Sequence, residues 1–93
     1  MSKTFTAPAA YSDKPYDPIP MVDVESSQVR AIGYSAERRT LAVVFQHGAG
    51  AVYHYPNVAP ELHAAFMAAE SKGRFFRLNV KPLAFDKFPP VAA

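Results

Sequence analysis

The chain has 93 residues and a formal net charge of only +2 at pH 7. It contains no cysteine, which excludes a disulfide framework, a thiolate zinc site and a thiol nucleophile, and which is typical of a reducing compartment. No stretch approaches the roughly 20 apolar residues that cross a bilayer, and residues 1–10 lack the apolar run of a secretory signal. We therefore expect a small cytoplasmic protein with one hydrophobic core and no membrane association.

Prolines divide the chain into a core and two irregular ends. Four prolines fall within the first 20 residues, and three fall within residues 82–93. Each proline fixes φ and removes a backbone donor, so regular periods do not survive there. We predict a flexible or extended Pro-rich leader over residues 1–23, a packed α+β domain over residues 24–82 and a C-terminal tail over residues 83–93.

Three segments of the core alternate in side-chain size, which predicts β-strands. The first covers residues 29–34 and the third residues 51–55. Between them, Leu41, Val43 and Phe45 are spaced by two and share one face of a second strand. The connections are short, so we predict an antiparallel meander.

A helical pattern follows the strands. Pro60 suits a first helical turn, where its missing N–H has no intrahelical partner. Phe66 belongs to an apolar face that repeats at steps of three and four residues, so we predict a helix over residues 60–71 that covers the sheet. Gly73 would end it in left-handed geometry. The predicted fold class is α+β, with a three-stranded antiparallel β-meander packed by one main helix and a short second helix before Pro82.

The core also contains an ordered set of short motifs. They are Val24-Glu25-Ser26-Ser27, Ile32-Gly33-Tyr34, Leu41-x-Val43-x-Phe45, Tyr53-His54-Tyr55, Val58, Pro60, and Glu70-Ser71-Lys72-Gly73-Arg74-Phe75-Phe76 with Val80. In this order they resemble the KTSC domain, a module named for its place at the carboxyl end of some lysyl-tRNA synthetases and also found alone in bacterial proteins. Two features depart from that family: the turn before Tyr53 is lengthened, and Arg77 stands where asparagine is more usual. The resemblance implies this fold and no established catalytic activity, and through the synthetases it suggests RNA as a ligand.

Tyr53 and Tyr55 lie on one face of the third strand. If that face is exposed, the two rings form a platform on which unpaired bases stack. If it lies under the helix, the rings belong to the core. We favour burial, because so small a domain has few large side chains to spare.

Basic side chains are concentrated near the carboxyl end. Residues 71–93 carry five basic residues against one acidic residue, a net charge of +4. Around Phe75 they form a candidate phosphate-contacting edge, composed of Lys72, Arg74, Arg77 and Lys81. The alternative is that these side chains only solvate the surface around buried phenylalanines.

Candidate metal and catalytic residues are dispersed. His47, His54 and His63 fall on a turn, a strand and a helix, so no element presents two at a metal-ligand spacing. Ser26 and its neighbour Ser27 suit local hydrogen bonds to the backbone, and no nucleophile-elbow pattern is present. We expect no cofactor, no metal site and no enzymatic activity. The sequence indicates a binding module, for RNA (tRNA or single-stranded) or alternatively for a protein partner that docks through the leader.

Overall fold

The computed structural model describes residues 11–90, so the outer parts of the predicted leader and tail, residues 1–10 and 91–93, lie outside the described residues. Its centre is a five-stranded antiparallel sheet in which every strand pairs with its neighbours in sequence. The strands are β1 (Met21–Asp23), β2 (Val29–Ser35), β3 (Thr40–Phe45), β4 (Val52–Tyr55) and β5 (Asp86–Phe88). The predicted meander corresponds to β2, β3 and β4, and the α+β class is confirmed with a larger sheet.

The two additional strands come from the segments that were predicted as leader and tail. Each is three residues long and borders prolines, so neither shows a period that a sequence pattern can reveal. They form because the meander offers two edges: Val22 pairs with Ile32 on one side, and Lys87 pairs with Tyr53 on the other. Their strand structure is thus a consequence of tertiary pairing rather than of local propensity.

Two helices and a π-helical turn follow β4. They are α1 (Pro60–Ala68), α2 (Lys72–Phe75) and the π-helical turn (Phe76–Val80). The first helix ends earlier than predicted because Ala69 is extended, with φ −66° and ψ 137°. The second helix begins after its N-cap Ser71, whose Oγ accepts a hydrogen bond of 3.2 Å from the Arg74 N–H.

Gly73 does not end α1 in left-handed geometry, and that prediction is wrong. Gly73 is buried inside α2, and the glycines with positive φ in the described chain are Gly48 and Gly50, in the turn between β3 and β4. A Cβ at position 73 would collide with the side-chain amide of Gln28. Glycine therefore permits the close approach of the Gln28 side chain to α2.

The main core lies between the sheet and the helices. Phe66 projects from α1 into this core with 0% exposure and stacks on Phe75 at a centroid distance of 5.3 Å. Its buried members are Val29, Ile32, Leu41, Val43, Tyr55, Val58, Phe66 and Val80. The predicted packing of the helix on the face of Leu41 and Val43 is confirmed.

The opposite face of the sheet is covered by residues 11–20, which we call the strap. Tyr16 of the strap lies 5.2 Å, centroid to centroid, from Phe88 of β5. Two polar contacts hold the strap against the domain. Near its start the Ser12 N–H donates to the Lys87 carbonyl at 2.7 Å, and near its end Asp17 forms an ion pair of 3.2 Å with Arg38. This part of the leader is therefore extended and docked.

Candidate ligand-binding site

A pocket of about 390 Å³ opens where β2 begins, β3 ends and the helical segment turns. Its position follows from the sheet register, because Val29 and Phe45 are cross-strand partners at that end of the β2–β3 pair. The residues that line it are Gln28, Val29, Phe45, His47, Gly73, Phe76, Arg77 and Lys81. It is the candidate site, since it combines an apolar floor with charged and polar groups at the rim.

Phe45 and Phe76 dominate the floor of the pocket. Their ring centroids are 4.8 Å apart and the ring planes meet at 76°, an edge-to-face contact. Both rings are half-buried, whereas Val29 beneath them has 0% exposure. The floor therefore offers fixed apolar surface to a ligand without reorganisation of the core.

Arg77 and Lys81 form the charged rim. The π-helical turn places them together: the Lys81 N–H donates to the Phe76 carbonyl at 2.8 Å, five residues back, and the chain stays helical between the two side chains. Both side chains are exposed, and no carboxylate lines the pocket. Within residues 11–90 neither cation has an ion-pair partner, so their charge is available to an anion.

Sequence reasoning found Arg77 and Lys81 but missed the polar groups opposite them. Gln28 follows the Ser26-Ser27 pair, and His47 belongs to the lengthened turn after β3. Both are exposed and reach the pocket only through the tertiary fold. No local signal in the sequence points to them, because Gly73, against which Gln28 lies, is equally suited to ending a helix.

The other two basic residues of the predicted edge lie elsewhere. Lys72 Nζ donates a hydrogen bond of 2.6 Å to the Ala69 carbonyl at the end of α1, where a cation satisfies a free carbonyl. Arg74 is exposed beside a separate groove, which it shares with Phe75 and Leu78. The structure thus brings together two of the four predicted cations at the pocket.

Tyr53 and Tyr55 do not form an open platform. Tyr55 is 3% exposed, and burial, with Tyr53 nearby as a second cause, raises the pKa of its hydroxyl well above the ordinary range. The half-buried Tyr53 ring lies between Phe45 at 5.3 Å and Phe85 at 5.4 Å. No base can stack on Tyr55 unless the core opens.

The three histidines lie on the turn after β3, on β4 and on α1. His47 is exposed beside the pocket, and His63 stacks on Tyr34 at 4.8 Å, where burial lowers its pKa. His54 faces the strap, and burial, aided by the charge of Arg38, lowers its pKa. Across residues 11–90 no group of three histidine, aspartate or glutamate side chains is placed to hold a metal ion.

Ser26 has a structural role of the kind that the sequence suggested. Its Oγ accepts hydrogen bonds from the N–H groups of Gln28 and Val29, each at 3.1 Å. The hydroxyl thereby fixes the turn that delivers the Gln28 side chain to the pocket.

Comparison with protein families identifies the scaffold on which this pocket is built. The sequence model of the KTSC domain matches residues 25–85, about two thirds of the chain. The chain belongs to the KTSC domain family. The predicted resemblance is thus confirmed, and all eight residues that line the pocket lie inside the KTSC match.

Relatives of this KTSC domain agree with that assignment. An uncharacterised protein of Stutzerimonas stutzeri is 41% identical over 61 residues, which cover 66% of this chain and 83% of the relative. A protein of Tsukamurella paurometabola is 45% identical over 62 residues, which cover 67% of this chain and 90% of the relative. The crystal structure of a KTSC domain protein from Yersinia pestis superposes with a TM-score of 0.67 at 34% identity, covering 80% of this chain and 100% of that one.

The strap lies before the residues that the KTSC model matches. In the part of the chain that the structure describes, no helix is both long and apolar enough to cross a membrane.

Proposed function

We propose that this KTSC domain is a non-catalytic cytoplasmic binding module and that its ligand is RNA, either single-stranded RNA or an unpaired part of tRNA. The observation that carries the proposal is the pair Arg77 and Lys81, two cations without ion-pair partners in the described chain, at the rim of an apolar pocket. Phosphate contacts supply most of the non-specific affinity for nucleic acid, and aromatic side chains beside them suit unpaired bases.

The alternative is a protein partner that docks through the proline-rich leader. Two apolar side chains of the strap are engaged within the molecule: Ile19 is 3% exposed, and Tyr16 packs against His54 and Phe88, whereas Tyr11 is 49% exposed. A partner that used Ile19 or Tyr16 would have to displace these contacts before it could bind. The open pocket needs no such displacement, which favours RNA.

The test is the affinity for a short single-stranded RNA of mixed sequence, measured across a series of salt concentrations. Arg77→Gln/Lys81→Gln should weaken binding about tenfold at low salt, because two exposed charged contacts are lost. The slope of log K against log salt should become shallower by about 0.7 for each phosphate contact removed. The loss should be similar for RNAs of different sequence, since phosphates carry no sequence information.

Arg39→Gln is the matched control. Arg39 is exposed in the turn where Ser35 pairs with Thr40, at the opposite end of β2 and β3 from Val29 and Phe45. It removes one charge of the same kind without touching the pocket. Equal losses for Arg39→Gln and Arg77→Gln would show only a diffuse charge effect, and absence of RNA binding by the wild type at low salt would reject the proposal.

A further inference from the structure

We propose that the pocket receives a single unpaired nucleobase while Arg77 and Lys81 hold the adjoining backbone phosphates. This inference rests on the RNA-binding function proposed above and narrows it to one form of RNA, with one nucleotide as the unit that is recognised.

The floor of the pocket has the chemistry that a base face requires. Phe45 and Phe76 meet edge to face at 4.8 Å, and the fully buried Val29 packs beneath them. Every base has a π-face, and a base that stacks on an aromatic side chain gains affinity whatever its identity. The floor therefore selects for a flat aromatic group and discriminates weakly between bases.

The side of the pocket offers a group for the edge of the base. The Gln28 side-chain amide carries both a donor and an acceptor, the two functions that base edges present. It lies against α2 because Gly73 has no Cβ in its way, and no hydrogen bond to a described residue occupies it. Its neighbour in the backbone, Val29, is held by Ser26, so the amide is delivered from an ordered turn.

The positive charge at the rim of the pocket favours a nucleotide over a neutral aromatic ligand, because a nucleotide also carries phosphate. Arg77 and Lys81 follow the floor residue Phe76 in the chain, and the lining contains no aspartate or glutamate. An aromatic group flanked by two uncompensated cations is complementary to a base joined to phosphates.

The aromatic floor of the pocket has room for one base only. Beyond Phe45 the next ring is Tyr53, which contacts Phe85 at 5.4 Å and has the Lys87 ammonium 5.8 Å from its centroid. Tyr53 does not line the pocket, and Tyr55 is buried. A row of stacked bases therefore has no continuation along β4.

The base has to be unpaired. In an A-form duplex each base is covered on both faces by its neighbours and its edge is engaged in pairing, so it cannot enter a pocket from the side. A base in a single strand, a loop or a bulge is free to turn outward. The pocket thus predicts preference for these forms over a blunt duplex.

Three RNA probes separate this inference from the proposed function. They are a short single strand, a strand of the same length in which every base is replaced by an abasic ribose, and a blunt duplex of the same sequence. The intact strand should bind at least about tenfold more tightly than the abasic strand, because the abasic strand has no base to stack in the pocket. The salt slopes of the two strands should agree, since their phosphates are equal in number.

NMR signals of the wild-type protein provide the second readout. The Val29 methyl groups and the Gln28 side-chain amide should shift with the intact strand and stay in place with the abasic strand, while Arg77 and Lys81 should respond to both. Equal affinity for intact and abasic strands, or equal affinity for the duplex, would overturn the inference and leave RNA binding standing. Failure of all three probes to bind would overturn both.

Gln28→Ala tests the role of the edge contact. Gln28 is exposed, and its carbonyl, which accepts from the Gln46 N–H at 2.9 Å, is retained in the variant. Relative affinities for homopolymers of the four nucleotides should converge, with the salt slope unchanged. If the order of affinities for the four homopolymers is the same in the variant and the wild type, Gln28 does not contact the base.

Discussion

Gly73 permits a close contact with Gln28, a residue that lies far away in the sequence. Seen in the sequence, it suggested a helix terminus, since glycine commonly ends helices in left-handed geometry. In the structure it is buried within α2 and meets the Gln28 side chain. The difference could not be read from the sequence, because both explanations require glycine and only the long-range contact distinguishes them.

Gly73→Ala should displace the exposed Gln28 side chain from α2 and lower the free energy of unfolding by no more than about 1 kcal/mol, because the new methyl group meets the movable end of that side chain. Gly73→Ala/Gln28→Ala should recover most of the loss, since the colliding amide is gone. Urea denaturation of the two single variants and the double variant gives the coupling energy. Additivity within about 0.5 kcal/mol would contradict a direct clash.

Tyr53 and Tyr55 show what residue-level patterns predict and what they leave open. Alternation along β4 assigned Tyr53 and Tyr55 to one face, and the limited size of the domain favoured their burial. The structure confirms burial for Tyr55 and leaves Tyr53 half-buried. Periodicity determines which face a side chain occupies, but the depth of burial depends on where the covering helix ends.

At the scale of elements, α1 is attached to the sheet mainly through Phe66. It is the one buried side chain of this helix, with Leu62 and Met67 only partly buried beside it. Since α1 has nine residues, its own hydrogen bonds are insufficient to hold it folded in water. The helix therefore depends on this packing contact.

Phe66→Ala should cost about 3–5 kcal/mol, the loss expected when a fully buried phenylalanine leaves a cavity. Leu78→Ala, which truncates a side chain that is 66% exposed, is the control and should change stability by less than about 0.5 kcal/mol. Thermal and urea melts measure both. A small effect of Phe66→Ala would mean that α1 is not docked as described.

The strap is the element that sequence patterns missed. Its prolines exclude a regular period, so nothing in the sequence alone shows that it docks. It docks because the second sheet face is apolar and would otherwise be open to water: Tyr16 packs there beside Val44 and Val52. Gly33 makes room for it, since a Cβ there would collide with the Pro20 carbonyl.

Protonation of His54 should release or weaken the strap. The His54 ring lies 5.7 Å from Tyr16 and 4.9 Å from Phe88, and among the described residues its Nε2 has no hydrogen-bond partner. Burial, followed by the Arg38 charge, lowers its pKa, while Asp86 and Asp17 act in the opposite direction. The folded state therefore binds a proton less readily than the unfolded chain.

The stability contribution of His54 is consequently present above the unfolded pKa of about 6.5 and decreases as the pH falls below it towards the lowered folded pKa. His54→Phe should make the pH dependence of unfolding shallower between about pH 7 and pH 5, because one of the two histidines with a lowered pKa is gone while an aromatic ring is retained, and His63 keeps its own contribution. Identical profiles for His54→Phe and the wild type would exclude this linkage.

At the scale of the whole molecule, the two sheet faces have different roles. One carries the helices and opens at its end into the pocket of Arg77 and Lys81, and the other is closed by the strap. The predicted three strands, main helix and short second helix were accessible from the sequence because each rests on a local period. The two cations of the site were accessible because they are close in sequence.

The other half of the site was not accessible in that way. Gln28, Val29 and His47 reach the pocket only because β2 and β3 pair in a register that brings their ends together under the π-helical turn. Sequence patterns specify neither that juxtaposition nor the switch from α to π geometry at Phe76. The turn that carries His47 is longer than is usual in the family, and the structure places His47 in the lining of the pocket.

The most direct test of RNA binding at this pocket is an amide and side-chain NMR titration of the 93-residue wild-type chain with a short single-stranded RNA at low salt, repeated at high salt. We predict shifts confined to Gln28, His47, Arg77 and Lys81 and their immediate neighbours, with affinity that falls steeply as salt is added. The strap signals, including Tyr16, should not move. An absence of shifts at low salt, or shifts centred on the strap face, would contradict the account.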